Sequence, residues 1–518
     1  MKNIDILWVD DEIEFLKSHI IFLKEKGFNV TTANNGEDAK EIISKKKFDI
    51  IFLDENMPGL SGLQTLNEIK ILSPETPVVM VTKSEAEEIM DKAIGAKISD
   101  YLIKPVNPNQ ILLSIKKNID NKRLIAEETT SAYQSEFNKL GRQISECRDY
   151  KDWVLLYKKL IYWELELEKT NDNTFDEILK LQKNEANTLF AKFIKTNYLK
   201  WFDLNTKEKP LMSPNIFKYK ILPALEKAEK VVTILIDNLR YDHWKALQTI
   251  ISEYYNIDEE EIFYSILPTA TQYARNSMFS GLMPSEIERL YPNMWMNDEE
   301  EGLKNTFEEE LLRKQLNRLN KNYKFCYIKA LNNRDGKKIV DNITNILQNQ
   351  LIVLVYNFVD LLSHARTEVE MIRELAEDEA AYRSLVLSWF EHSPLLELLK
   401  IVMIKGIKVV ITTDHGTVKV HNPIKVIGDK TTTPNLRYKQ GKSLSYDTRD
   451  VFEITNPSKA YLPKQDVSSS YIFATGYDFF AYPNNFNYYV KYYKNTFQHG
   501  GISLEEMLIP VVTLSPKV

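Results

Sequence analysis

The first 120 residues alternate short apolar runs with amphipathic stretches. The apolar runs have the length and composition of buried strands, and the stretches between them, such as EFLKSHIIFLKEKG, have helical periodicity. Strand–helix alternation at this spacing is typical of a doubly wound parallel sheet. The predicted strands are IDILWV, NVTTA, FDIIFLD, PVVMVT and DYLIKP.

The pattern changes twice further along the chain. Between residues 121 and 205 the strand signals vanish, and two long segments keep helical periodicity without proline or glycine, which predicts a helical bundle linker. After the break KEKPLMSP, residues 206–518 return to α/β alternation. The strands predicted there are VVTILID, EIFYSIL, YKFCYI, LIVLVYNF and KVVITT. The predicted fold class is therefore a multidomain α/β protein.

Size and composition indicate several folded domains. At 518 residues the chain exceeds one ordinary core. A net charge of −6 argues against a general nucleic-acid coat, although bound divalent cations can invert the sign of a site. Two cysteines, Cys147 and Cys326, supply neither a disulfide framework nor a thiolate zinc site. Acidic residues near the N-terminus and the lack of a long apolar run predict a cytoplasmic protein without a membrane partner.

Acidic, hydroxyl and lysine side chains stand at the carboxyl ends of the strands predicted in the first segment. Asp10 and Asp11 follow the first strand, Asp54 ends the third, Thr82 ends the fourth and Lys104 follows the fifth. In an open parallel sheet these strand ends meet at one edge, where ligands bind. Three carboxylates there can share a Mg²⁺ ion, which prefers oxygen ligands.

These side chains suit the acceptance of a phosphoryl group. The metal and Lys104 would neutralise the incoming group while the Asp54 carboxylate attacks it in line. The Thr82 hydroxyl would then bond the phosphoryl oxygens, and Tyr101 would rotate into the vacated space. Any one of these residues alone would be read as a capping or turn residue, so the prediction rests on their joint placement.

Two groups of ligand-type residues lie in the third segment. Asp360 and His364 stand four apart in FVDLLSHAR, a spacing that places both on one helical face and suits a single cation. Asp414 and His415 follow the run IKVVITT, where a buried strand would deliver them to a loop. Two further candidates are Asp237, which ends VVTILID, and His499, which stands in FQHGG. Together they predict a two-metal hydrolase centre.

The segment LPTATQYARNSMFSG supplies a hydroxyl for attack on phosphorus. Thr271 would stand at the start of a helix, where backbone N–H groups and the helix dipole favour an anion. Arg275 lies one turn further on, within reach of a phosphoryl oxygen. The alternative interpretation of Thr271 is an ordinary helix N-cap.

The first segment resembles the response-regulator receiver family, on the residues DD, DENMPG, VTKSE and YLIKP. The resemblance implies that Asp54 is the phospho-acceptor and that Asp10 and Asp11 hold Mg²⁺ beside it. It also implies that the backbone carbonyl of Asn56 completes the metal shell, and that a sensor histidine kinase donates the phosphoryl group.

Residues 206–518 resemble the alkaline phosphatase superfamily, specifically its PglZ branch. The motifs that carry this resemblance are VVTILIDNLRYD, LPTATQYAR, FVDLLSH, TTDHG and QHGG, in the superfamily order. The resemblance implies two metal sites, one formed by Asp237, Thr271, Asp414 and His415, the other by Asp360, His364 and His499. Oxygen and nitrogen ligands without sulfur suit Zn²⁺, with Mn²⁺ as the alternative.

This resemblance implies a hydrolase that acts through a covalent phosphothreonine at Thr271. Threonine in place of serine favours a diester substrate. Arg240 is the candidate for a second phosphate clamp, but it is equally well interpreted as an ion-pair residue. A monoester substrate therefore stays open as the alternative. The predicted activity is a two-zinc phosphodiesterase for nucleotide or oligonucleotide phosphoesters, controlled by phosphorylation at Asp54. The alternative is a non-catalytic, metal-stabilised interaction platform that binds a transcription partner.

Taken together, the three segments resemble response regulators linked to type IX secretion and gliding. This implies control of secretion genes through a partner such as a sigma factor, and residues 206–518 show no recognition helix for direct DNA binding. Phosphorylation at Asp54 is predicted to promote a homodimer through the face near Tyr101. The aromatic residues between 471 and 497 could stack on bases, but strands packing into a core are favoured.

Overall fold

The computed structural model divides the chain into two compact units, one built from Met1–Ser135 and Lys169–Asp172, the other from Glu136–Glu168 and Asn173–Val518. The residues it describes are 4–74, 76–83, 98–170, 173–203, 205–298, 300, 304–368, 374–376, 378–428, 432–464, 466 and 468–517. None of the helices in these ranges is apolar over the length that a bilayer crossing requires.

The first unit contains a five-stranded parallel sheet, and its described elements have the following bounds. The strands are β1 (Asp5–Val9), β2 (Asn29–Ala33), β3 (Ile50–Asp54), β4 (Val78–Thr82) and β5 (Asp100–Ile103). The helices are α1 (Lys17–Glu25), α2 (Gly36–Lys45), α3 (Gly62–Leu72) and α4 (Pro108–Ile115). The strand order is β2-β1-β3-β4-β5, so β1 and β3 flank the point where the order reverses. Ligands bind at the carboxyl ends beside such a switch point.

Both faces of this sheet are covered. Leu7 and Leu53 belong to the apolar core on one face, whereas Ile6 and Phe52 belong to the core on the other. Since successive residues of a strand point to opposite faces, a strand buried on both sides must be apolar throughout. This is why the sequence shows continuous apolar runs here.

Three long helices follow, α5 (Asn121–Glu146), α6 (Tyr150–Glu168) and α7 (Asn173–Asn197). Helices α6 and α7 pack on one another and on the second unit's sheet. The Trp153 and Phe190 rings lie 5.3 Å apart, and Phe190 lies 6.2 Å from Tyr264 of that sheet. Lys158 Nζ donates a hydrogen bond to the Glu260 carbonyl at 3.3 Å. These two helices therefore share a core with the C-terminal domain.

The second unit is built around a six-stranded sheet with smaller strands and helices beside it. Its strands are β6 (Val231–Ile236), β7 (Tyr255–Tyr264), β8 (Phe325–Ala330), β9 (Leu351–Tyr356), β10 (Lys408–Thr412), β11 (Val418–Lys419), β12 (Asn422–Lys425), β13 (Tyr438–Gly441), β14 (Val451–Ile454), β15 (Ser470–Ala474), β16 (Asp478–Ala481), β17 (Phe497–Gln498) and β18 (Leu508–Pro516). The order in the large sheet is β7-β18-β10-β6-β9-β8. Strands β10, β6, β9 and β8 run parallel, and β18 runs against its neighbours. The parallel strands bring their carboxyl ends to one edge.

The described helices of this unit, beyond α6 and α7, surround the sheets. They are α8 (Leu222–Ala228), α9 (Tyr241–Tyr254), α10 (Thr271–Ser280), α11 (Pro284–Leu290), α12 (Glu308–Arg318), α13 (Asn333–Asp341), α14 (Ile343–Ile346), α15 (Phe358–Glu368), α16 (Glu379–Glu391), α17 (Pro394–Ile404), α18 (Phe486–Tyr493) and α19 (Leu504–Met507). Helix α10 is buried at every residue but its first, Thr271. Thr271 is therefore the one residue of α10 that is partly exposed.

Candidate functional site

In the first unit, the carboxyl edge of the sheet gathers the residues predicted to accept a phosphoryl group. Asp10 and Asp54 are buried, and Lys104 Nζ lies 2.8 Å from Asp10 Oδ2 and 2.8 Å from Asp54 Oδ1. Carboxylate oxygens of Asp10, Asp11 and Asp54 lie within 4.8 Å of one another, a spacing that suits one divalent cation. Burial raises the pKa of Asp54, although the hydrogen bond from Lys104 opposes the shift.

The predicted switch residues lie beside this pocket. The Thr82 hydroxyl at the end of β4 donates a hydrogen bond to the carboxylate of Glu55, the neighbour of Asp54. Tyr101, in the adjacent strand β5, is 37% exposed, and Asn56 is exposed in the loop after β3. The motif VTKSE continues into residues 84–97, which lie outside the described residues.

In the second unit, three neighbouring parallel strands position the candidate metal ligands. Asp237 directly follows β6, and Asp414 and His415 come shortly after β10. Asp360 stands in the first turn of α15, which follows β9. Because β10, β6 and β9 are adjacent in the sheet, their carboxyl ends bring these side chains together.

Asp237, Asp414 and His415 form the first group. Each offers a ligand atom within 4.8 Å of the other two, and all three are buried. His415 Nε2 lies 3.7 Å from Asp414 Oδ2 and 3.9 Å from Asp237 Oδ1. Asp237 Oδ1 has no hydrogen-bond partner among the described residues. A buried carboxylate oxygen without a donor is costly in a protein interior, and a bound cation would satisfy it.

Asp360, His364 and His499 form the second group, with the same 4.8 Å limit between ligand atoms. His364 Nε2 lies 3.6 Å from Asp360 Oδ2, and His499 Nε2 lies 3.8 Å from Asp360 Oδ1. Burial, reinforced by the neighbouring His415, lowers the pKa of His499 to about 3, so its ring is neutral. Its Nδ1 lies 3.2 Å from the Thr269 carbonyl, which fixes a proton there and leaves the Nε2 lone pair free for a metal.

The two groups adjoin. The His415 and His499 rings stack with centroids 4.2 Å apart. Asn238 connects the groups, since its side chain donates to Asp360 Oδ1 at 3.3 Å and its backbone N–H donates to Asp414 Oδ1 at 3.4 Å. Sequence reasoning missed Asn238. The available signal was an asparagine directly after a strand-ending aspartate, because asparagine tolerates the positive φ of 64° that it adopts here.

Thr271 faces the first group from the start of α10. Its Oγ1 lies 3.0 Å from His415 Nε2, and His415 Nδ1 lies 3.1 Å from the Gly416 carbonyl. With the Nδ1 proton donated to that carbonyl, Nε2 accepts the hydrogen bond from the threonine hydroxyl. Ala270 occupies the N-cap position, so Thr271 is the first helical residue instead of the cap. The N–H groups at the very start of a helix have no partner within the helix, and the helix dipole favours an anion there.

Arg275 lies inside the carboxylate cluster. It is fully buried, its Nε donates to Asp414 Oδ2 at 2.9 Å, and it forms further ion pairs with Asp237 and, at 3.4 Å, with Glu308. Burial raises the pKa of Asp237, whereas for Asp414 the attraction of Arg275 outweighs burial and lowers the pKa. Arg240 could have been a second phosphate clamp or an ion-pair residue. The structure shows the ion pair, with Arg240 Nε 2.8 Å from Asp242 Oδ1.

Three family models match successive parts of the chain. Residues 6–116 match the response regulator receiver domain, and residues 123–202 match the PorX response regulator linker domain. Residues 216–514 match the BREX system PglZ alkaline phosphatase-like domain. This is the domain architecture of PorX, and it confirms the predicted fold class of a doubly wound receiver, a helical linker and an alkaline-phosphatase-like α/β domain.

The curated relatives cover a smaller part of the chain. It is similar to the transcriptional regulatory protein ZraR of Escherichia coli strain K12, with 34% identity over 27% of this chain and 32% of ZraR. It is also similar to the alginate biosynthesis transcriptional regulatory protein AlgB of Pseudomonas putida, with 36% identity over 23% of this chain and 27% of AlgB. The chain thus spans at most about a third of the length of these relatives.

Among solved structures, the chemotaxis protein CheY4 of Vibrio cholerae is similar at 27% identity and a TM-score of 0.22, covering 22% of this chain and 98% of CheY4. A CheY-like receiver domain protein of Methanospirillum hungatei is similar at 28% identity and a TM-score of 0.23, covering 23% of this chain and 96% of that protein. The PglZ match covers more than half of the 518 residues. The chain therefore belongs to the PglZ alkaline phosphatase-like family and carries a response regulator receiver domain and a PorX-type linker ahead of its PglZ domain.

Proposed function

We propose that this protein is a two-zinc phosphodiesterase for nucleotide or oligonucleotide phosphoesters, regulated by phosphorylation of its receiver domain. The observation that carries the proposal is the Thr271 hydroxyl, 3.0 Å from His415 Nε2 and beside two adjoining groups of carboxylate and imidazole ligands. A nucleophilic hydroxyl at a helix N-terminus that faces cation sites has the parts that attack on a phosphoester requires.

The residues present fit two divalent cations. Asp237, Asp414 and His415 would hold one ion, together with the Thr271 oxygen, and the second group would hold the other; Zn²⁺ suits this donor set, with Mn²⁺ as the alternative. When bound, such ions polarise a phosphoryl oxygen and lower the pKa of a coordinated hydroxyl.

The chain's own groups would orient the reaction. Thr271 Oγ would form a bond to phosphorus as the bond from phosphorus to the leaving alcohol breaks, and water would later release the phosphothreonine. The N-terminal end of α10 would favour the negative phosphoryl oxygens. Asn238 holds the Asp360 and Asp414 carboxylates in place. Threonine as the nucleophile favours a diester substrate.

The direct test measures metal content and hydrolysis of bis-p-nitrophenyl phosphate on the same full-length preparation. We expect about two zinc ions per chain and turnover that chelation abolishes and added zinc restores. Two bound metals without turnover of any phosphoester, even after receiver phosphorylation, would contradict the enzyme and favour an interaction platform stabilised by metal.

Regulation by the receiver leads to a second prediction. Beryllofluoride, which mimics the phosphoryl group on Asp54, should raise the mass in light scattering from monomer to dimer. The physical reason is that Thr82 would exchange its bond to Glu55 for one to the new anion, and the exposed Tyr101 would move with it. The matched control is Asp54→Asn, which should stay monomeric, and an unchanged wild-type mass would contradict the proposal.

The wider role rests on the PorX linker match. We propose a sensor histidine kinase as the phosphoryl donor, which the receiver match supports, and regulation of type IX secretion through a partner such as a sigma factor, with the protein in the cytoplasm. Phosphorylation with a candidate kinase, followed by co-purification with the partner, tests each step separately.

A further inference from the structure

Helix α18 carries a ladder of tyrosine rings on the protein surface. Its inner residues Phe486 and Val490 pack against a buried apolar cluster, whereas Tyr488 is 65% exposed and Tyr489 36%. The near-parallel ring pairs are Tyr488 with Tyr492, at 6.3 Å and 16°, and Tyr489 with Tyr493, at 6.3 Å and 12°. We refer to Tyr488, Tyr489, Tyr492 and Tyr493 as the tyrosine ladder. Tyr488 and Tyr489 are the exposed members, whereas Tyr492 is half-buried and Tyr493 also packs against the apolar cluster. The two exposed rings offer flat faces to a planar ligand.

Positive charge borders the tyrosine ladder. Residues 482–500 contain Lys491 and Lys494 and no carboxylate, in a chain whose net charge is −6. Lys425, in β12, places its Nζ 4.9 Å from the ring centroid of Phe486. The surface therefore pairs aromatic faces with ammonium groups, which suits a ligand that has both planar bases and anionic groups.

The tyrosine ladder and the candidate metal centre are joined by a short stretch of chain. Helix α18 leads into β17, and His499 follows that strand directly. Strand β17 pairs with β11, which begins three residues after His415. Even fully extended, the six residues from Tyr493 to His499 span at most about 20 Å. A short oligonucleotide is therefore long enough to extend from the ladder to the ligand group that contains His499.

We propose that the tyrosine ladder, with Lys491, Lys494 and Lys425, is the docking surface for single-stranded oligonucleotide substrates. This deepens the proposed function and rests on it. Unpaired bases would stack on the rings, and the lysines would contact the phosphates, which leads the strand toward the metal centre. A lipid surface is the weaker candidate, because the apolar Phe486 and Val490 face inward and the outer face ends in hydroxyl groups.

The first test measures binding of fluorescein-labelled hexaadenylate to full-length protein in the Thr271→Ala background, which preserves the probe. The double variant Tyr488→Ala, Tyr489→Ala should raise the Kd at least about fivefold, since each stacked base contributes at least that factor. The matched control is Tyr219→Ala, because Tyr219 is 52% exposed and also lies under a lysine, Lys218 at 5.1 Å. It should leave the Kd unchanged.

Salt dependence tests the lysines. Lys491→Gln with Lys494→Gln should reduce the slope of log affinity against log salt concentration by about 1.4, or roughly 0.7 for each lost phosphate contact. Hexaadenylate that fails to bind the Thr271→Ala protein, or that binds the double tyrosine variant as tightly, overturns the docking surface. A second outcome would also overturn it. In that outcome the protein binds anionic phosphatidylglycerol vesicles, the double tyrosine variant does not, and hexaadenylate fails to displace the vesicles.

Turnover separates this proposal from the proposed function. In the Thr271-containing protein, Tyr488→Ala with Tyr489→Ala should lower the ratio of hexaadenylate cleavage to bis-p-nitrophenyl phosphate cleavage at least about fivefold, through a raised KM for the oligonucleotide. An unchanged ratio in an active enzyme refutes the ladder while the hydrolase stands. If the protein with Thr271 hydrolyses neither substrate, the proposed hydrolase is contradicted. Hexaadenylate binding would still test the tyrosine ladder in that case.

Discussion

Thr271→Ala is expected to slow hydrolysis of bis-p-nitrophenyl phosphate at least about a thousandfold in kcat. The substitution removes the one hydroxyl of α10 that faces the candidate metal centre, and without it no covalent phosphothreonine can form. Alanine has a high helix propensity, and Ala270 remains as the N-cap, so the helix itself should be unaffected.

The control for this substitution is Thr271→Ser, which keeps a hydroxyl at the same position and should retain turnover within about tenfold of wild type. Metal content is measured for both variants, because the Thr271 oxygen is also a candidate ligand. Turnover that persists undiminished in Thr271→Ala would remove threonine as the nucleophile. An inactive variant with wild-type zinc content would assign the loss to the missing hydroxyl.

Much of the fold could be predicted because buried parallel strands leave continuous apolar runs in the sequence. The predicted strand VVTILID corresponds to β6, and KVVITT corresponds to β10. The run LIVLVYNF was assigned to a single strand, whereas the structure ends β9 at Tyr356 and begins a helix at Phe358. That break places Asp360 and His364 on one helix turn, as their spacing predicted.

Elements that depend on distant partners escaped prediction. Strand β18, near the C-terminus, pairs with β10 and β7 across the sheet and was not predicted. Its apolar run LIPVVTL contains Pro510, and proline argues against a central strand. The aromatic stretch was expected to form core strands, which holds for Ser470–Ala474 and Asp478–Ala481. The next segment, Phe486–Tyr493, is a helix with exposed rings, because its few inward residues at spacings of four and three suffice to anchor it.

In the candidate site too, some features follow from local sequence patterns and others depend on distant contacts. Strand-end aspartates and histidines follow from local patterns, so the sequence could point to the residues of both ligand groups. The contacts that hold these groups in place, from Asn238 to Asp360 and from Arg275 to Asp237, join residues more than 30 positions apart. Such pairings depend on strand order and helix docking, which a single sequence does not specify locally.

Arg275→Met is expected to destabilise the metal-free PglZ domain by about 3–5 kcal/mol, seen as a lower unfolding temperature in the presence of a chelator. Arg275 is the buried cation shared by Asp237, Asp414 and Glu308, and its removal leaves buried carboxylates without a counter-charge. Zinc should recover much of the loss, because an ion between Asp237 and Asp414 replaces the missing positive charge and binds the folded state.

The matched control is Arg383→Met. Arg383 is also buried and also pairs with three carboxylates, those of Glu164, Glu168 and Asp242, but it touches none of the candidate metal ligands. Its loss should therefore cost a similar amount with chelator and with zinc. Zinc recovery confined to Arg275→Met would mean that arginine and metal neutralise the same two aspartates. Equal losses for Arg275→Met in both conditions would mean that zinc does not replace the charge of Arg275, and would contradict the prediction.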